Sequence, residues 1–267
     1  MRPSCYGRVT SRKDAMPQSI RAQSHARAVV FSPLDGAGRA QVVEQRLSDA
    51  IVLGLLGSGE RLPSESELAR QFNVAIVTAR EALESLREKG LLETRRGRGG
   101  GSFVTERHEA EAGLVESRLR TISRVELRDT AIHYSALAAM AAELAADRAS
   151  EDDVLALERL VESADVETGG GARRAENTFR LEVAAVSQSA RLVREHLRLQ
   201  AEFGPLLWLN LRSAENRLRS RELHRDIVIA IAGGDGETAR RITVAHLAEA
   251  VEWLIEVKSE IENGESS

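Results

Sequence analysis

The stretch SESELARQFNVAIVTAREAL, residues 64–83, decides the fold of the front of this chain. Ser64 stands three residues before Glu67, the spacing of a capping box, so a helix opens there and turns Leu68 and Phe72 inward. Asn73-Val74 reads as a turn. The helix that follows buries Ala79, Leu83 and, just beyond the quoted stretch, Leu86 on one face, and Lys89-Gly90 closes it. Two short helices joined this tightly form a helix-turn-helix. Its second helix begins unusually, because Ala75-Ile76-Val77 gives the first turn no long polar side chain.

Upstream, Val42, Val43, Leu47, Ile51 and Leu55 recur at helical spacing until Gly57-Ser58-Gly59 breaks the pattern. Downstream, Leu91 to Thr94 and Ser102 to Thr105 read as short strands joined by RRGRGGG, residues 95–101, a hairpin signal. Three helices and a basic hairpin make a winged helix-turn-helix. From about residue 108 to 262 the pattern is helical throughout, in segments near 123–148, 151–166, 174–187, 190–212, 214–232 and 236–260. Breaks fall at Ser150, at Thr168-Gly169-Gly170-Gly171 and at Gly233-Gly234-Asp235-Gly236, and such short connections predict antiparallel neighbours. The expected fold class is mainly α: a winged helix-turn-helix with a small β-hairpin, then an all-α antiparallel bundle. The expected division is a disordered basic tail at 1–38, the winged module at 39–107, the bundle at 108–262 and a short tail at 263–267.

Composition bounds the function. Charged residues make up 29% and hydrophobic residues 42% of the 267, and no apolar run reaches the roughly 20 residues that span a bilayer. A single cysteine, Cys5, excludes an internal disulfide, and the absence of an apolar leader points to the cytoplasm. Charge is unevenly spread. Residues 1–38 carry six Lys/Arg against two Asp/Glu, residues 39–105 ten against nine, and the remainder 21 against 30. Polyanions are repelled by the acidic rear, so a nucleic-acid contact belongs in the first 105 residues.

The second helix of a helix-turn-helix enters the major groove, with its early residues facing base edges. Thr78 and Arg80 are the polar residues of those early turns, while Arg95, Arg96 and Arg98 lie on the wing, where Gly99 and its neighbours let backbone approach a groove. Ser64, Ser66, Ala75 and Ile76 complete the candidate DNA-contacting set. Ile76 either meets a thymine methyl group or fills the junction between helices.

Residues 61–104 resemble the DNA-binding module of the GntR family of bacterial transcription regulators. The resemblance rests on Pro63-Ser64-Glu65, Glu67-Leu68-Ala69, Arg80-Glu81-Ala82-Leu83, Gly90-Leu91 and the Gly-rich wing before Phe103-Val104. The family often has Arg where this chain has Ser66, and Ser-Arg where it has Ala75-Ile76. An Arg paired to guanine contributes about 1–3 kcal/mol of base discrimination, so fewer direct contacts and a less sharply read operator are expected. The resemblance implies a homodimer on a pseudo-palindromic, double-stranded operator, acting most often as a repressor.

Residues 121–262 resemble the ligand-binding domain of the FadR subgroup, through LAADRAS at 144–150 and HRDIVIAIAGGDGETARRITVAHL at 224–247. Many members bind a divalent metal through an Asp and three His residues, and a carboxylate effector completes the coordination. His224 and His246 stand at the family's spacing and share faces with Ile227, Val228 and Ile231, and with Ile242, Ala250 and Trp253, so both point inward. Glu176 replaces the usual Asp and Arg180 stands where the third His is expected. A guanidinium stays protonated and has no lone pair for a metal. Three outcomes follow: a metal-free pocket in which Arg180 grips an organic anion, a three-ligand site for Zn, Ni or Mn formed by Glu176, His224 and His246, or a vestigial pocket in which Glu176 and Arg180 satisfy each other. Ser189, where an Asn is common, and Tyr134, where an Arg is common, complete the candidate effector set. A metalloenzyme built on the same three ligands is the alternative, although no nucleophile–base pair accompanies them.

Overall fold

The structure, a computed structural model, describes residues 28, 30–31, 33, 40–97, 99–105, 115–116 and 118–263. Arg98, most of 1–38, residues 106–114 with the expected module boundary, and the end of the chain from residue 264 lie outside them.

The front module holds α1 (Ala40–Val52), α2 (Glu65–Phe72), α3 (Ile76–Glu88), β1 (Leu92–Arg95) and β2 (Gly101–Val104). Ser64 caps α2 by accepting from the Glu67 N–H while Glu67 reaches back to the Ser64 N–H, and Asn73 ends the helix in the left-handed region at φ 54°. Leu47, Leu68, Phe72, Ala79, Leu83 and Leu86 are fully buried, so α1, α2 and α3 share one core. The strands pair antiparallel, with Leu92 opposite Val104 and Arg95 opposite Gly101. Gly100 turns the wing tightly: a Cβ there would stand 2.5 Å from the Arg95 carbonyl oxygen. Two residues of the stretch expected to be tail belong to this core. Val30 is fully buried in it, and the Phe31 ring lies 6.1 Å from that of Phe72.

The rear is a bundle of α4 (Arg124–Arg148), α5 (Glu151–Glu162), α6 (Gly169–Val186), α7 (Ala190–Leu207), a 3₁₀ turn (Trp208–Arg212), α8 (Ala214–Ala232) and α9 (Gly236–Asn263). Its first and last helices, α4 and α9, run along each other and close it. No helix among the described residues is long and apolar enough to cross a membrane.

Three expected boundaries move. The helix expected over 151–166 stops at Glu162, because Ser163 folds back on the Arg159 carbonyl and Asp165 accepts from the N–H groups of Glu167 and Thr168. The three glycines read as a break are instead the first turn of α6, where Thr168 caps the N–H of Gly171. Glycine is needed at 171, since a Cβ would fall 1.9 Å from the Asp165 carboxylate. The helix expected over 190–212 tightens into the 3₁₀ turn after Leu207, just past Pro205.

Candidate functional site

Most of the expected DNA-contacting residues that the structure describes are exposed at the surface of the front module. Ile76 and Val77 are 51% and 57% exposed, so the junction between helices is filled without them. Exposed β-branched residues on the first turn of α3 form an apolar edge suited to thymine methyl groups. Ala75 is the N-cap and offers no side-chain cap, which leaves the first N–H groups of α3 unsatisfied by the chain's own side chains. Thr78 is half-buried beside them. The Ser64 hydroxyl donates to Glu67 at 2.6 Å and is committed to its cap, while Ser66 stays exposed with its hydroxyl 3.2 Å from that of Ser64.

The cations of this face are lightly held. Arg80 pairs with Glu65 at 2.9 Å, and Arg95 pairs with Glu93 at 2.7 Å while its guanidinium lies 4.4 Å from the centre of the Phe103 ring. Exposed pairs of this kind contribute about 0–1 kcal/mol, so a phosphate competes for either arginine. Arg96 is exposed, and Gly99 sits exposed at the tip of the wing.

In the bundle, α6, α8 and α9 bring Glu176, Arg180, His224 and His246 together, each less than a tenth exposed. Arg180 sits one turn beyond Glu176 and its Nε donates to the Glu176 carboxylate. Its Nη2 lies 3.2 Å from His246 Nδ1. Arginine only donates, so His246 Nδ1 accepts and its proton is on Nε2. Ser220 Oγ donates to Glu176 Oε2 at 2.6 Å, and His224 Nε2 lies 3.1 Å from the same oxygen but out of hydrogen-bonding alignment. The His224 ring stacks on Phe179 at 4.0 Å.

Burial would raise the Glu176 carboxyl, but Arg180 and His224 more than offset it and hold the group well below the usual carboxylate range. Burial, helped by Arg180 and opposed by Glu176, pushes His246 down to about 3. Glu176 is therefore an anion beside a neutral His246, with Arg180 as the cation bridging them.

The ligand atoms of Glu176, His224 and His246 all lie within 4.8 Å of one another, near enough to make them a candidate three-ligand group. The charge distribution opposes it. Arg180 already donates to Glu176 and reaches His246, so a divalent ion would meet a guanidinium at two of its three ligands. The residues present do not fit a metal while Arg180 holds this position.

The remaining expected effector residues divide. Tyr134 is fully buried in the wall of a cavity that Arg180 and His246 also line, and its hydroxyl has no hydrogen-bond partner. Ser189 does not line the cavity. It is the N-cap of α7, accepting from the Leu192 N–H.

Two buried groups near Arg180 escaped sequence reasoning. His196, with its ring 5.2 Å from that of Tyr134, has no aligned hydrogen bond at either ring nitrogen. Burial and then Arg180 push it down to about 3 against a weaker contact with the Gln200 side chain, so it is neutral. Gln200 Oε1 is likewise buried without an aligned hydrogen bond. Neither belongs to a spaced motif; a polar residue on the otherwise apolar face of α7 was the only signal. Tyr134, Gln200, Arg180 and His246 line a cavity with about 20 Å³ open to the centre of a water-sized sphere, room for roughly one water.

Comparison with known proteins follows the same division. Residues 39–101 match the family model described as "Bacterial regulatory proteins, gntR family", and residues 133–249 match that of the FCD domain. The chain is similar to the protein of Mycobacterium gastri described as an HTH-type transcriptional regulator, RmpR, with 37% identity over 86% of this chain and 85% of that one. It is 30% identical to the Escherichia coli protein described as the L-lactate dehydrogenase operon regulatory protein, over 78% of this chain and 86% of the other. Among solved structures, Escherichia coli McbR/YncC aligns with 84% of this chain and 98% of its own at 23% identity and a TM-score of 0.47.

Proposed function

This chain belongs to the GntR family of bacterial regulatory proteins and is a DNA-binding transcription regulator rather than an enzyme, and on that premise we propose that its bundle senses a small organic acid without a metal. The observation that carries the proposal is the buried Arg180 bridging Glu176 and His246 where a metal would otherwise sit. A guanidinium holds a carboxylate through two parallel N–H donors, so Arg180 supplies the charge that a metal supplies elsewhere. The Tyr134 hydroxyl and Gln200 Oε1, which line the cavity and have no well-aligned hydrogen bond, are polar groups that a ligand bearing hydroxyls would satisfy. The cavity is closed down to about one water, so binding requires its walls to move.

Thermal-shift screening tests this. The panel is small carboxylates, sugar acids and acyl-CoAs, with L-lactate included because one relative is named for its dehydrogenase operon. A ligand at 100 times its Kd stabilises the folded chain by about 2.7 kcal/mol, a rise of several degrees. The expected result is such a rise with one class of carboxylate and none in Arg180→Ala. A rise that is the same in both proteins removes Arg180 from the site.

The module boundaries and the homodimer are part of the same proposal. α4 buries Leu127, Ala131, Tyr134 and Ala138 inside the bundle, yet Val125, Ile132 and Met140 on its other face are 77%, 69% and 45% exposed. A helix apolar on both faces is one whose outer face meets a partner. A second copy meeting it across a two-fold axis matches the symmetry of a pseudo-palindromic operator. Ile132→Glu combined with Met140→Glu is expected to yield a monomer by light scattering with unchanged helical content. A dimer that survives both changes places the interface elsewhere.

A further inference from the structure

We propose that Asn177 transmits the state of the bundle cavity to the DNA-binding module, an inference that rests on the reading of that cavity as an effector site. Asn177 follows Glu176 on α6 and is 1% exposed. Its Nδ2 donates 2.9 Å to the carbonyl oxygen of Leu53, at the end of α1 in the front module. Its Oδ1 accepts from Gln200 Nε2 and from Trp208 Nε1, both at 3.1 Å. The amide has one orientation, because a flipped Asn177 would face a carbonyl with its oxygen and two donors with its nitrogen.

The clasp and the site share a wall. Asn177, Gln200 and Trp208 line the same small cavity as Arg180 and His246. A ligand of several heavy atoms cannot enter a space sized for about one water without displacing lining groups. Gln200 is the weak point, since its amide nitrogen holds Asn177 while its buried Oε1 accepts no well-aligned hydrogen bond. A ligand hydroxyl that donates to Oε1 draws this amide toward the cavity and loosens its hold on Asn177.

The far end of the clasp is coupled to the DNA-contacting face. Leu53 lies in one hydrophobic cluster with Leu47, Leu83 and Leu86 of the front module and with Leu181 and Leu197 of the bundle, and α1 packs along both α3 and α7. A shift at Leu53 therefore moves the support of the helix that meets DNA. Equilibrium couplings between sites in proteins are typically about 5- to 150-fold.

The test is a double-mutant cycle on the full-length protein, read as affinity for a duplex that the native protein has selected from random sequence. The cavity is perturbed by Glu176→Gln with Arg180→Met, which removes the ion pair without leaving a buried unpaired charge. The expected result is an affinity change of at least about fivefold when Asn177 is present and less than about twofold in Asn177→Ala. Trp208→Phe, which removes one donor to Asn177 Oδ1, gives an intermediate change and substitutes for Asn177→Ala if that variant does not fold. Equal changes in all backgrounds overturn the proposal, as does no change in the native background. Carboxylate thermal shifts on the same proteins separate the two readings. A shift without any DNA response sinks the relay and leaves the effector site, whereas a cycle that behaves as expected with no carboxylate response does the reverse.

Discussion

Neutralising Arg80, Arg95, Arg96 and Arg98 together lowers affinity for the operator by on the order of 100-fold or more at about 0.15 M salt. Each phosphate neutralised by an arginine adds about 0.9 to the slope of log K against log salt, so three or four lost contacts flatten that slope by roughly 3. Arg80 is paired with the partly exposed Glu65, and Arg95 with the exposed Glu93 and the Phe103 ring, contacts at the surface that give way to a phosphate at small cost. A fluorescence-anisotropy salt series on the native and quadruple-variant proteins reads both quantities. An unchanged slope would mean that these arginines never reach the backbone of the duplex. Ile76→Ala, by contrast, is expected to leave the slope alone and to weaken preference at thymine positions only, because an apolar contact releases no counterion.

Arg180→Met has the largest expected effect on stability. Glu176 then stays buried with its main cationic partner gone, and removing one member of a buried pair costs about 3–5 kcal/mol. The pH dependence follows from the direction of each shift. In the native protein Glu176 lies well below its unfolded value, so its contribution is present above the unfolded carboxyl pKa and is lost as pH falls through the folded value. In the variant, burial dominates and raises the same group, so the deficit is largest near pH 7 and shrinks as pH falls toward about 5. Urea denaturation across that range measures it. Glu176→Gln added to Arg180→Met is expected to restore most of the loss; a double variant as unstable as the single one would show that packing, not charge, is responsible.

The local chemistry of the front module was legible because each signal there acts within a few residues. The Ser64–Glu67 box, the left-handed Asn73 and the buried face of Ala79, Leu83 and Leu86 are all set by neighbours in the chain. Val30 and Phe31 were not legible, since they pack on a core formed by residues far ahead of them. The glycines at 169–171 misled for a similar reason: glycine alone reads as a break, whereas Thr168 caps a helix that starts there and the Asp165 carboxylate lying against Gly171 leaves no room for a Cβ. In the bundle, the resemblance to the FadR subgroup pointed to Glu176, Arg180, His224 and His246, but it could not say that Arg180 reaches His246 across from another helix. Ser189 stood at the right place in the motif and its side chain turned to cap its own helix. Asn177 and His196 carried no motif, and their importance appears only once α1, α6 and α7 are packed together.

The most direct test of the metal-free site is release of the operator duplex by the carboxylate that thermal shift identifies, measured after exhaustive dialysis against EDTA. With Arg180 as the cation of the site, the midpoint of release is the same before and after chelation and is lost in Arg180→Ala. A response abolished by chelation and restored by Zn(II) would contradict the account.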